Sequence, residues 1–126
     1  MLNLNKKRQE IRRLILENSY LAGACHIGGA LSCVNILIDL FYIQKIKPEQ
    51  FIWSKASGVS AFYSVLADKG YFPKSKIAYY LKKYPLSNRQ VPGVMIDGGS
   101  CGHGLPTAVG MALSDKKKIS IVLWVM

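Results

Sequence analysis

The chain has 126 residues, half of them hydrophobic and 19% charged, with a formal net charge of +10. That composition suits one globular domain with a modest core and excludes a disordered chain. No apolar run is long enough to span a membrane, and the start, "MLNLNKKRQEIRRLILEN", is charged and amphipathic, without the apolar core or small-residue cleavage site of a secretory signal. The expectation is a cytoplasmic chain with no membrane partner.

In chain order, Asn3 or Asn5 caps a first helix with Ile11, Leu14, Ile15 and Leu21 on one face, ending where Gly23 breaks the pattern. "HIGGA", from His26 to Ala30, reads as a turn, after which Ser32 caps a buried helix over "CVNILIDLFY". "FIWSK", from Phe51 to Lys55, reads as a short buried strand. A third helix runs from about Val59 to Lys69 and stops at Gly70. Pro73 stands at the start of a fourth, "PKSKIAYYLKKY". "PLSNRQVPGVMIDGGS" is loop with a short extended piece. A glycine turn then opens a fifth helix, Leu105 to Ser114, and "KISIVLWVM" is a final strand too apolar for an edge. Helices alternating with short buried strands predict an α/β layer architecture with a mainly parallel sheet flanked by helices. The strands are few for a finished sheet, so residues 1–126 read as an incomplete domain.

Cys25, Cys33 and Cys101 have neither disulfide-framework nor zinc spacing and read as small buried residues. Only Cys101, in the turn before a helix, is placed for catalysis, and no nucleophile–base pair surrounds it. The basic residues are dispersed and do not interleave with aromatic ones, which points to a solvated basic surface, with no nucleic-acid partner. The turn "GGSCGHG" ahead of a helix would expose backbone N–H groups at a positive helix terminus, an arrangement that suits phosphate. Its spacing matches neither the dinucleotide fingerprint nor the P-loop, and a tight turn with close helix packing explains it equally.

Three segments in order resemble the amino-terminal part of the transketolase family, whose members use thiamine diphosphate. "LAGACHIGGALSCVNILIDLFY" resembles that family's His-x-Gly-Gly-x-Leu-Ser turn and following helix. "FIWSKASGVSAFYSVLADKGYFP" resembles its Ser-Lys-Gly-His segment and helix. "VPGVMIDGGSCGHGLPTAVGMAL" resembles its Pro-Gly-Val and Gly-Ser-Leu-Gly-His/Gln-Gly-Leu block. The resemblance implies a partial thiamine diphosphate-binding domain over residues 8–123. It gives His26 a proton-transfer role in the substrate channel, which an imidazole suits; on its own, His26 reads as a turn residue capping backbone. It gives Gly102, His103 and Gly104 contact with the cofactor's diphosphate, where helix capping is the plainer role for His103. Lys55 matches the lysine of the Ser-Lys segment, with a structural salt bridge as its expected role.

Departures from the family pattern are specific. Ala56 and Ser57 stand where the family has Gly-His, and its Gly-His-Pro segment has no counterpart, Arg89 lying in that shorter loop. The family's Gly-Asp-Gly and later asparagine, which hold Mg²⁺ against the diphosphate, find no match before Met126, so no metal ligand is assigned. Asp97 and Asp115 are wrongly placed to replace them. The tail Leu123-Trp124-Val125-Met126 equals a family-like Leu-Val-Gly-Asp-Gly stretch, CTT GTG GGT GAT GGN, read one base later. A single-base deletion is therefore expected, with transketolase-like sequence resuming in another downstream frame.

The resemblance thus implies a fragment of an enzyme that transfers two-carbon ketol units between sugar phosphates with thiamine diphosphate and Mg²⁺, inactive alone. The alternatives are a non-catalytic interaction module and a small subunit that needs a partner chain. An incompletely covered final strand would expose Trp124 and leave the isolated chain loosely packed or aggregated.

Overall fold

The computed structural model describes residues 1–115 and, as backbone, 121–123. Helix α1 spans Leu4–Ala22. Its ends follow from its caps. The Asn3 side chain accepts from the Lys6 N–H at 3.1 Å, and Gly23 turns the chain left-handed at φ 65°, its N–H donating to the Tyr20 carbonyl. Ile11 and Ile15 are fully buried as the period predicts, but Leu21 is 70% exposed, and Asn18 and Ser19 take the inward positions near the helix end. The inward face has rotated by that point because 3.6 residues per turn carries Leu21 off the stripe defined by Ile11 and Ile15.

The adjacent glycines form a short helix, α2 (Ile27–Leu31), rather than a turn. Ser32 ends α2, and its hydroxyl donates to the Gly29 carbonyl at 2.9 Å, so it does not cap the next helix. The expected single buried helix divides into α3 (Val34–Ile38) and a π-helical turn, Asp39–Ile43. Strand β1 is Phe51–Trp53, α4 is Val59–Asp68, α5 is Ile77–Lys83 after a 3₁₀ turn at Lys74–Lys76, and α6 is Gly104–Ser114. Strand β2, Ile121–Leu123, pairs in parallel with β1, Phe51 opposite Ile121 and Trp53 opposite Leu123.

The described residues therefore form a helix-rich unit whose sheet is this one parallel pair. The broader helix-flanked sheet expected from the sequence is seen only to that extent. Trp124 lies outside the described residues.

β1 is buried on both faces, as a strand in an α/β layer must be. Phe51 and Trp53 join the main core, where Trp53 stacks on Phe62 of α4 with centroids 5.5 Å apart and Phe41 meets Phe51 edge-on at 5.3 Å. Ile52 points the other way, into a small cluster with Ile96 and Ala108 beneath α6. Helix α1 packs across α4 and α5 on the main-core side. Among the described residues no helix is long and apolar enough to cross a membrane. The cysteines depart from the expectation: Cys33 is buried, while Cys25 and Cys101 are exposed because both lie in connections outside the packed helices.

Candidate functional site

The segment between β1 and α4 organises two neighbouring surfaces. Gly58 sits at φ 79°, and a Cβ there would stand 2.6 Å from the Ala30 nitrogen and 2.7 Å from the Gly29 carbonyl carbon. Only glycine allows this conformation together with this approach. Lys55 is buried beside it, its Nζ donating to the Gly29 carbonyl at 2.9 Å and lying 3.5 Å from the Ser32 hydroxyl. The expected salt bridge is thus replaced, among the described residues, by bonds to a carbonyl and a hydroxyl. Lys55 is a clasp between the β1–α4 loop and α2.

His26 leads into α2 from a left-handed conformation, φ 64°, and its side chain makes no capping bond. It lines a cleft of about 330 Å³ together with residues 22–25, Gly58, Val59, Ser60, Leu81, Lys82, Pro85 and Leu86. The loop after α5 is held against this cleft by Tyr63, whose hydroxyl lies 3.1 Å from the Tyr84 carbonyl and 3.0 Å from that of Leu86. Burial raises the Tyr63 phenol well above its ordinary pKa, so it stays a neutral donor.

The glycine turn lies elsewhere. Gly104 opens α6, and its N–H donates to the Ser54 hydroxyl at 3.0 Å in a buried contact. A Cβ at Gly104 would come within 2.3 Å of the Ser54 Cβ, so this glycine lets α6 lie against the end of β1. Gly102 is left-handed, φ 78°, with open space where a Cβ would project. His103 is exposed and makes no side-chain cap; its carbonyl accepts from Thr107 Oγ1 at 3.1 Å. His103 shares a second cleft, of about 350 Å³, with Arg89, Met95, Ile96, Asp97 and Thr107. There the Asp97 carboxylate accepts the Arg89 backbone N–H at 2.8 Å and pairs with its guanidinium at 3.6 Å. His26 and His103 therefore line different clefts. In the sequence this cleft is marked only by His26, which the resemblance sets in a substrate channel, and by Gly23 and Gly58; the rest of its lining comes from separated segments that carry no local signal.

The chain matches an apulose-4-phosphate transketolase subunit of Actinobacillus succinogenes at 35% identity over 130 residues, covering 90% of this chain and 47% of that protein. The chain is a homologue of transketolase-family proteins. The corresponding apulose-4-phosphate transketolase subunit of Phocaeicola vulgatus is 33% identical over 90% of this chain and 45% of that protein. The 6-deoxy-6-sulfo-D-fructose transketolase subunit SqwG of a Clostridium species is 32% identical over 90% of this chain and 46% of its own length. The chain spans about half the length of these curated relatives. No protein-family profile and no solved structure matches it.

Toward a diphosphate cofactor and its metal, the residues present fit in one respect and not in the other. An oxyanion fits at Gly102 and His103: the turn precedes the amino terminus of an eleven-residue helix, and the space beside Gly102 is open. A hard divalent cation is not provided for in the same way. Among the described residues no three His, Cys, Asp or Glu side chains gather, and Asp97 is engaged with Arg89.

Proposed function

We propose that this chain is the diphosphate-side part of a transketolase-type enzyme and works as one subunit beside a partner chain. The complete enzyme would transfer two-carbon ketol units between sugar phosphates in the cytoplasm. The observation that carries this reading is the match, over nine-tenths of the chain, to proteins that are themselves called transketolase subunits.

Thiamine diphosphate, when bound, stabilises the carbanion that the ketol transfer requires. In this chain Gly102 and His103 would hold its diphosphate. Gly104 would shape the turn by bringing α6 onto β1, since its own N–H is engaged with Ser54. His26 would move a proton on the substrate side, held in place by the Lys55 clasp on α2.

The subunit reading is favoured over a purely structural module by the same relatives. By itself the chain should not turn over ketose donors, and it should bind thiamine diphosphate only at about millimolar concentration, worth about −4 kcal/mol. Calorimetry with and without Mg²⁺ checks this. Equal, weak binding in both is the expected result; tight binding that appears only with Mg²⁺ would show a complete metal site within the single chain.

A further inference from the structure

The surface of α5 is basic and aromatic at once, an interleaving that the chain at large does not show. Residues 69–96 hold Lys69, Lys74, Lys76, Lys82, Lys83 and Arg89 and no Asp or Glu. Lys76, Tyr79 and Lys83 follow one another at spacings of three and four, so they share a side of the helix, and all three are exposed. The Lys76 ammonium lies 5.1 Å from the centre of the Tyr79 ring; that of Lys83 lies 5.7 Å from the same ring and 5.4 Å from the ring of Tyr84. Lys83 also donates to the Tyr79 hydroxyl at 3.3 Å. The rings are themselves braced. Tyr79 leans on Tyr80 at 5.4 Å, and Tyr80 stacks beside Tyr84 at 6.4 Å and meets Phe72 of the core edge-on at 4.9 Å. Two long cationic side chains are thus held at fixed places on the surface. Among the described residues no carboxylate pairs with either: Asp68 takes Lys7 and Lys74, and Glu10 takes Lys7.

We propose that this face docks a carboxylate-rich segment of a second protein. Carboxylates complement the ammonium groups, and lysines already ordered by rings lose less freedom on binding. From Lys76 to Tyr84 the face is about 12 Å long at 1.5 Å per residue, enough for about four residues of an extended segment. Other occupants fit worse. A second copy of this chain would bring the same net charge of +10 and be repelled. A membrane would need apolar side chains to insert, but Ile77 and Leu81 of α5 are turned into the core. A nucleic acid would use free ring faces for stacking, and the two lysines lie over the Tyr79 ring. Lys76, Tyr79 and Lys83 line neither the His26 cleft nor the His103 cleft, and the proposal does not depend on the transketolase reading.

The test separates an ordered face from general positive charge. An oligoglutamate peptide and a single-stranded oligothymidylate of equal length are titrated into the 126-residue chain at low salt while backbone amides are followed by NMR. Saturable shifts centred on Lys76, Tyr79, Lys83 and Tyr84 are expected, with the peptide bound more tightly than the oligonucleotide. Lys83→Met should weaken peptide binding about threefold, the scale of one exposed ion pair. Lys45→Met, an equal loss of charge outside this face, should weaken it by less than about 1.5-fold. Tyr79→Leu changes no charge but releases both lysines, and should also weaken binding about threefold; Tyr79→Phe keeps the ring and should bind within about 1.5-fold of the wild type. Tyr79 is exposed, so the melting temperature should be the same in both tyrosine variants. Shifts spread evenly over every lysine-bearing segment, equal losses in the Lys83 and Lys45 variants, wild-type binding by Tyr79→Leu, or tighter binding of the oligothymidylate would each overturn the proposal. None of these outcomes bears on the diphosphate reading, which is read at Gly102 and His103.

Discussion

The carboxylate of Asp68, at the end of α4, accepts from Lys7 of α1 at 3.0 Å, from Lys74 at 2.8 Å and from the Tyr42 hydroxyl. Burial raises its pKa, but the hydrogen bonds from Lys74, Tyr42 and Lys7 outweigh that and hold it below the ordinary carboxylate value. A depressed carboxylate pKa adds stability that is present above the unfolded value, about 3.9, and is lost as pH falls through the folded value. Asp68→Asn should cost about 2 kcal/mol at neutral pH, because it weakens the charge-assisted bonds from Lys7, Lys74 and Tyr42 while Lys7 keeps its pair with Glu10 at 2.7 Å. The variant should also lose the wild type's fall in stability below about pH 4. Urea melts at several pH values check both. Glycines divide in the same way. Gly58→Ala should cost about 3 kcal/mol, combining left-handed strain with a backbone clash, whereas Gly70→Ala, at φ 88° but in open space, should cost only about 1 kcal/mol. Equal losses at the two positions would mean that the Gly58 contact with α2 is not tight.

Helix α6 is held to β1 by a close approach as well as by apolar area. Its outward face carries Leu105, Val109 and Leu113, four residues apart and all exposed, while Ala108 alone is deeply buried within the helix body. Gly104→Ala would press a methyl group onto Ser54, so α6 must lift and the Gly104–Ser54 bond must break. Hydrogen exchange should then accelerate through residues 105–111 while α1 keeps its protection; unchanged exchange in α6 would count against this docking. Helices with strong punctuation were legible in the sequence: α1 from Asn3 and Gly23, α4 from its apolar run, and α6 to within one residue. Segments decided by tertiary contact were not. Two adjacent glycines favour a turn locally, yet α2 forms because Gly58 and Lys55 pack against it. Nothing local marks the change from α3 to a π-helical turn at Asp39. The glycine turn was legible as a place, but the engagement of Gly104 with Ser54 joins residues fifty positions apart and carries no sequence signal.

At the scale of the whole molecule, β1 separates two environments. On one side lies the main aromatic core with α1, α4 and α5; on the other lie α6, the Ile52 cluster and the cleft of His103 and Arg89. The diphosphate assignment needs this division, because the turn must present Gly102 and His103 to a ligand while Gly104 anchors the helix behind them. The most direct test is to titrate thiamine diphosphate into the chain and follow backbone amides and both imidazoles by NMR. Saturable shifts at Gly102, His103 and Arg89 that are the same with and without Mg²⁺ are the expected result. No change at Gly102 and His103, with shifts elsewhere or none at all, would contradict it.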